Sequence, residues 1–147
     1  MVYNINSIKG QFFDKVFAFP VRVYYEDTDA GGIVYYANYL KFAERARTEY
    51  IRAVGWSQQE ELENDDKYAF AVRHVEVDYK APAVLDDELV VTCELREMKG
   101  ASAVMYQQIW RGETLLVEME VKVAYLSITR KRPVRIPDEL VKKINSL

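Results

Sequence analysis

The residues best suited to chemistry lie in one short stretch, Tyr24-Tyr25-Glu26-Asp27-Thr28-Asp29-Ala30-Gly31-Gly32-Ile33-Val34-Tyr35-Tyr36-Ala37-Asn38-Tyr39. Carboxylates and a glycine pair stand just before an amphipathic helical pattern. A helix N-terminus presents backbone N–H groups without partners and about half a unit of positive charge. It stabilises an anion, or a carbonyl oxygen that is becoming one. A carboxylate held alongside has the chemistry to attack an acyl carbon, or to activate a water for that attack. Gly31 and Gly32 allow the backbone to approach a ligand closely. Spacing alone leaves a second reading open, a plain Asp-rich turn that ends in an N-capping acid.

Other nucleophiles and metal ligands are scarce. The 147 residues include one cysteine, Cys93, and one histidine, His74. They cannot supply the four ligands of a closed zinc site, and a Ser-His-Asp or Cys-His mechanism would have to use His74. Alternation places His74 in mid-strand on the face of Glu76 and Asp78, as a partly exposed structural residue. Cys93 alternates with Val91 and Leu95 and reads as core. Trp56, Tyr68 and Trp110 read as packing residues. One cysteine makes no intramolecular disulfide, so a reducing compartment such as the cytoplasm is expected.

Charge and hydropathy narrow the partners. Lys+Arg number 20 against 23 Asp+Glu, a net charge of −3, which argues against a nucleic-acid protein. The densest basic cluster, Arg130, Lys131, Arg132 and Arg135, reads as a solvated face. Met1 to Phe13 has no apolar h-region, and no apolar run approaches the roughly 20 residues that span a bilayer. The length fits one domain, expected over residues 1–147 with a core at about 17–133.

These residues need a scaffold, and the hydrophobic periods supply one. Phe17 to Tyr25 alternates as a strand, with Pro20 pointing to an edge or a bulge. Glu26 to Gly32 reads as a loop. Tyr39, Ala43, Ala46, Tyr50 and Val54 form one stripe of a helix spanning Tyr36 to Val54, with Gly55 as its stop. Ser57-Gln58-Gln59-Glu60 resembles a capping box opening a short second helix. Strands follow over Ala69 to Lys80 (Ala71, Val75, Val77 and Tyr79 on one face) and around Leu89, Val91, Cys93 and Leu95. Two more run over Ser102 to Arg111 and from Leu115 to Tyr125. Turns at Asp86-Asp87, Lys99-Gly100 and Gly112-Glu113 join them. Asp138 to Ile144 forms a last short helix. Short turns imply antiparallel neighbours, and repeated βαβ units are missing. The expectation is an α+β fold, one curled antiparallel sheet with the long helix packed on its face.

The stretch from Val21 to Glu49 resembles the signature of the 4-hydroxybenzoyl-CoA thioesterase family. It is most similar to the branch of acyl-CoA thioesterases associated with the Tol–Pal envelope system. The likeness extends over roughly Phe19 to Pro133, including D-Y-K-A-P-A-V-L-D-D-E-L at Asp78 to Leu89 and M-K-G-A-S at Met98 to Ser102. It implies the hot-dog fold, about five strands wrapped round one long helix. It also implies a homodimer or homotetramer with sites at subunit interfaces, an acyl-CoA substrate, and hydrolysis without a cofactor or metal. Asp29 matches the family's catalytic carboxylate, as nucleophile or general base. The backbone N–H of Tyr36 matches the group that polarises the thioester carbonyl. Glu44 matches a helix position facing the acyl group, against which stands an ion pair with Arg47 or Lys41.

The resemblance further places Gly32, Tyr35 and Asn38 at the substrate. It places Lys99, Gly100 and Ser102 at the coenzyme A phosphates, with Lys80, Arg130 and Arg132 as assisting cations; the rival is an ordinary hairpin. One departure is notable. The Tol–Pal branch usually has Val-Tyr-His where this chain has Val34-Tyr35-Tyr36. Two other functions are carried forward. One is a non-catalytic binder of acyl-CoA or acyl carrier protein in an envelope-associated complex. The other is a hot-dog dehydratase or hydratase, which would need a histidine near the motif.

Overall fold

The computed structural model describes residues 3–147; Met1 and Val2, part of the segment read as lacking a leader, lie outside it. Seven strands form one antiparallel sheet: β1 (Gln11–Phe13), β2 (Val16–Arg22), β3 (Tyr68–Tyr79), β4 (Glu88–Lys99), β5 (Ser102–Arg111), β6 (Thr114–Ser127) and β7 (Arg132–Pro133). Their order is β1-β2-β4-β5-β6-β3, with β7 on β6. The helices are α1 (Asn38–Ala53), α2 (Gln58–Glu63) and α3 (Asp138–Asn145). The α+β architecture expected from the element order is present, with two short strands, β1 and β7, added to the expected five. Among the described residues, no helix is long and apolar enough to cross a membrane.

Local chemistry explains most of the boundaries. The hairpins β4–β5 and β5–β6 close with two-residue loops, pairing Lys99 with Ser102 and Arg111 with Thr114. Gly100 and Gly112 sit there at φ +61° and +58°, where a side chain would be strained. Ser57 Oγ accepts the Glu60 N–H at 3.2 Å and caps α2. The first core strand is shorter than its alternation suggested. It stops at Arg22, and Tyr25–Asp27 winds into a 3-10 turn. The helix also starts late. Asn38 N–H donates to the Tyr35 carbonyl at 2.8 Å, and this turn holds Tyr36 and Ala37 outside α1.

The core lies between α1 and the concave face of the sheet. Tyr39, Ala43, Ala46 and Tyr50 are buried as the stripe indicated, with Phe42 beside them. The alanines remove side-chain bulk where the helix meets β4 and β2, so the backbones approach closely. Leu89, Val91 and Cys93 face them from β4, and Met119, Val121 and Tyr125 from β6. Burial in this apolar setting pushes the Cys93 thiol up to about 12, which keeps it unreactive at neutral pH.

Two irregularities shift the expected faces. Val72 pairs with Val123 and His74 with Lys122, leaving Arg73 as an extra residue. Such a bulge inverts the alternation, so Phe70 and Val72 share a face with Val75 and Val77, and Ala71 does not. A second irregularity lies between Ile109 and Trp110, and Leu116 rather than Leu115 is fully buried.

One polar side chain crosses the core. Gln107 of β5 is 0% exposed. Its amide donates to the carbonyls of Ala43 (3.0 Å) and Thr92 (3.3 Å), and its Oε1 accepts from Arg47 Nη1 at 2.9 Å. This ties helix to sheet and leaves no amide atom unpaired. Desolvation lowers the pKa of the Arg47 guanidinium. Gln107→Leu should lower the unfolding free energy by about 1–3 kcal/mol, because it strands buried partners. Urea titration measures this, and an unchanged midpoint would refute the cross-link.

Candidate active site

The loop before α1 is built around Asp27. The residue is 6% exposed. Oδ2 accepts the Tyr24 N–H at 2.9 Å, and Oδ1 accepts the Asn38 amide at 3.0 Å. The Asp27 carbonyl accepts the Tyr35 N–H at 2.9 Å. A buried carboxylate is tolerable only when hydrogen-bonded, and here the bonds join the end of β2, the loop and the first residue of α1. Asn38, expected at the substrate, is buried and committed to this clamp.

Asp29 sits two residues further on, at the tip of a small hairpin. Asp29 N–H donates to Ile33 O (2.9 Å) and Gly32 N–H to Asp29 O (3.0 Å). The Asp29 side chain is exposed, and its Oδ1 accepts the Gly31 N–H at 2.8 Å. That bond orients the carboxylate and leaves Oδ2 to the outside. The glycines are needed for different reasons. A Cβ on Gly31 would come within 3.2 Å of Asp29 Oδ1, and Gly32 holds φ +82° with open space around it.

A second loop braces the first. Val34 N–H donates to Ala83 O at 2.9 Å, and Ala83 N–H to the buried Tyr39 hydroxyl at 2.9 Å. Asp87 Oδ2 accepts from Val84 N–H and from Arg111, both at 2.9 Å. The stretch Asp78 to Leu89 therefore forms the wall behind the hairpin.

The Tyr36 N–H, expected as the donor that polarises a carbonyl, lies just outside the helix. Among the described residues, neither the Tyr36 nor the Ala37 N–H has a backbone acceptor. The N-terminus of α1 has no side-chain cap. Its positive end is therefore open to a ligand oxygen. Tyr36 is 61% exposed, and the Tyr79 hydroxyl donates to its carbonyl at 3.1 Å. Tyr35 is exposed beside it.

Glu44 lies elsewhere. It is exposed on α1, where its Oε1 accepts the Thr48 hydroxyl at 2.7 Å rather than pairing with Arg47 or Lys41. It stands at the mouth of a cavity of about 160 Å³ between α1, the sheet and α3. Neither Asp29 nor Tyr36 lines that cavity. One chain thus brings Asp29, Gly32, Tyr35 and Tyr36 together on one loop and leaves Glu44 on another surface.

The phosphate candidates are dispersed. Lys80 Nζ pairs with Asp78 at 3.0 Å. Ser102 Oγ donates to the Lys99 carbonyl at 3.3 Å inside the hairpin, and Ile136 N–H donates to Gly100 O at 3.0 Å. That last bond draws the basic tail against the hairpin. Arg130 is paired with Asp66 at 3.3 Å, and Arg132 is exposed on β7. His74 is exposed near Glu76 and away from the loop. No group of three His, Cys, Asp or Glu side chains is placed to hold a metal among the described residues.

A family model described as the thioesterase-like superfamily matches residues 23–144. The chain belongs to this superfamily. It is 48% identical over 127 residues to the acyl-CoA thioesterase YbgC of Haemophilus influenzae, covering 86% of this chain and 93% of that protein. A probable thioesterase from Bartonella henselae superposes with a TM-score of 0.78 at 36% identity, covering 82% of this chain and 98% of the other. A 4-hydroxybenzoyl-CoA thioesterase variant, solved with 4-hydroxybenzoyl-CoA, superposes with a TM-score of 0.80 over 89% of this chain and 99% of its own. At 18% identity that last likeness speaks for the shared hot-dog fold alone. The Asp29 loop and α1 lie within the matched residues.

Two structural residues, Asp27 at this site and Gln107 in the core beneath α1, carried weak sequence signals. Asp27 differs from Asp29 only in phase, and Asn38 is its partner eleven residues on. Gln107 was marked by a polar residue at a core phase of β5, between Met105 and Ile109. Asn38→Ala removes one bond from a buried carboxylate and should cost about 1.5–3 kcal/mol. Thermal unfolding reads the loss, and a wild-type melting temperature would show that the clamp contributes nothing.

Proposed function

We propose that this protein is an acyl-CoA thioesterase in which Asp29 carries the chemistry. The carrying observation is an oriented, exposed Asp29 carboxylate on the same tight loop as the open N-terminus of α1. Thioester hydrolysis needs a group that adds to the acyl carbon, or deprotonates a water that does, and a donor for the resulting oxyanion. Asp29 Oδ2 suits the first role, since Oδ1 is held by Gly31. The Tyr36 N–H suits the second, and such donors contribute about 2.7–4 kcal/mol each. In the nucleophilic route the coenzyme A thiolate departs to leave an Asp29–acyl anhydride, which water then hydrolyses to the carboxylic acid and free Asp29; in the general-base route water adds directly and loss of the thiolate releases the acid. The likeness to YbgC at 48% identity supports acyl-CoA as the substrate class. Lys99, Gly100 and Ser102 remain the candidates for its phosphates, with an exposed turn and a lysine as the supporting chemistry.

Nothing in the geometry favours the non-catalytic binder, because the carboxylate and the donor are both unobstructed. A Tol–Pal association, and an acyl carrier protein in place of coenzyme A, rest on the resemblance alone. Asp29→Asn should lower turnover by about 10²–10⁴-fold, the range typical of a lost acid–base group. Thiol release from an acyl-CoA panel measures it, and wild-type turnover in Asp29→Asn would falsify the role.

A second copy is proposed to complete the site. Asp29 and Glu44 do not share a cavity in one chain. β3 is a twelve-residue edge strand, and Val72 (51%) and Tyr79 (43%) on it are exposed. Long edge strands invite pairing, and a partner laid along β3 would cover these residues. Sedimentation should show a dimer or tetramer; a fully active monomer would remove this part of the reading.

A further inference from the structure

Tyr79 ends β3 and reaches across to the start of α1. Its hydroxyl donates to the Tyr36 carbonyl at 3.1 Å, and no backbone N–H bonds that oxygen among the described residues. The Tyr36 carbonyl and the Ala37 N–H belong to one planar trans peptide and point in opposite directions. A bond that holds the carbonyl therefore holds the direction of the Ala37 N–H. The preceding peptide is held in the same way, since the Tyr35 carbonyl accepts the Asn38 N–H at 2.8 Å. That second bond aims the Tyr36 N–H. Two successive peptides are thus pinned by their oxygens, while both N–H groups lack a backbone acceptor among the described residues.

Tyr79 is itself firmly supported. It pairs with Val117 of β6, so its backbone belongs to the sheet. Its ring meets Tyr36 edge-on at 6.2 Å and Tyr39 at 5.7 Å. Tyr39 is buried, and its hydroxyl is tied to the Ala83 N–H. Partial burial raises the Tyr79 pKa above the usual tyrosine value, so the hydroxyl is protonated at neutral pH and able to donate. A carbonyl that accepts a hydrogen bond also polarises its peptide, which strengthens the N–H of that peptide as a donor by about 10–30%.

We propose that Tyr79 is a positioning residue for the hydrolysis: through the Tyr36 carbonyl it aims and strengthens the Ala37 N–H as a second oxyanion donor beside the Tyr36 N–H. The inference rests on the thioesterase reading above and adds to it a residue of the sheet that acts through a peptide bond rather than on the substrate. An oxyanion carries more charge than the ground-state carbonyl, so losing this support falls on kcat more than on KM.

The test is Tyr79→Phe, which keeps the ring and removes the hydroxyl. Thiol release is measured from acetyl-, octanoyl-, palmitoyl- and benzoyl-CoA. For the fastest of these, kcat should fall about 3–10-fold with KM within about twofold, the scale of one neutral hydrogen bond. Infrared spectra read the donor directly. The same substrate, isotope-labelled at its carbonyl carbon, is bound to Asp29→Asn with and without Tyr79→Phe. The thioester carbonyl band should lie below its free position in Asp29→Asn and move back toward it in the double variant. An unchanged kcat in Tyr79→Phe would overturn the inference. So would an unmoved carbonyl band, and a lower melting temperature alongside it would mark Tyr79 as a packing residue only. No thiol release by the wild type from any of these substrates, or full turnover in Asp29→Asn, would instead overturn the parent reading.

Discussion

The site depends on one buried negative charge. Asp27 cannot leave water without hydrogen bonds, and the bonds it makes join three separate segments. Tyr24 belongs to the chain leaving β2, Tyr35 to the return of the hairpin, and Asn38 to the start of α1. Tyr24 and Asn38 bond the carboxylate and Tyr35 bonds the Asp27 main-chain carbonyl; together these bonds fix the loop path, and the loop path decides where Asp29 projects. The exposed carboxylate can be reactive because the buried one is inert. The second wall, Ala81 to Asp87, then needs only ordinary contacts to hold the hairpin, through Val34, Ala83 and the Tyr39 hydroxyl.

The same logic acts deeper in the fold. A helix lying on a sheet is held mainly by apolar burial, which is strong but does not fix register. Gln107 adds direction. It reaches from β5 to a carbonyl in the middle of α1 and to one on β4, and it steadies Arg47. With the helix fixed against sliding, its N-terminus stays over the Asp29 loop and its middle stays over the cavity. The open end of the helix and the cavity beside its middle are thus parts of one rigid body.

Much of this was legible in the residues. The alanine–tyrosine stripe of α1, the two-residue hairpins and the period-two strands follow from local sterics and alternation, and the structure agrees. What alternation missed has a physical cause in each case. The bulge at Arg73 moves Ala71 off the core face, and no period-two count detects one inserted residue. The helix begins at Asn38 rather than Tyr36 because Asp27, eleven residues earlier, captures the Asn38 amide and the Tyr35 N–H. Glu44 was placed near the acyl end by resemblance. The structure sets it at the mouth of a cavity that Asp29 does not share.

The residues by themselves determined the chemistry on offer. With one thiol that is buried, one imidazole far from the motif and no metal-ligand spacing, a carboxylate before a helix N-terminus was the best supplied nucleophile or base. Local composition is enough for that, since reactivity belongs to side-chain types. Tertiary structure decided which of two neighbouring aspartates is exposed, where the helix starts, and that an apolar space lies behind Glu44. Those outcomes come from contacts between residues distant in the chain, such as Asp27 with Asn38, Gln107 with Ala43 and Leu140 with the sheet. Such contacts form only when the whole core packs, so no local pattern records them.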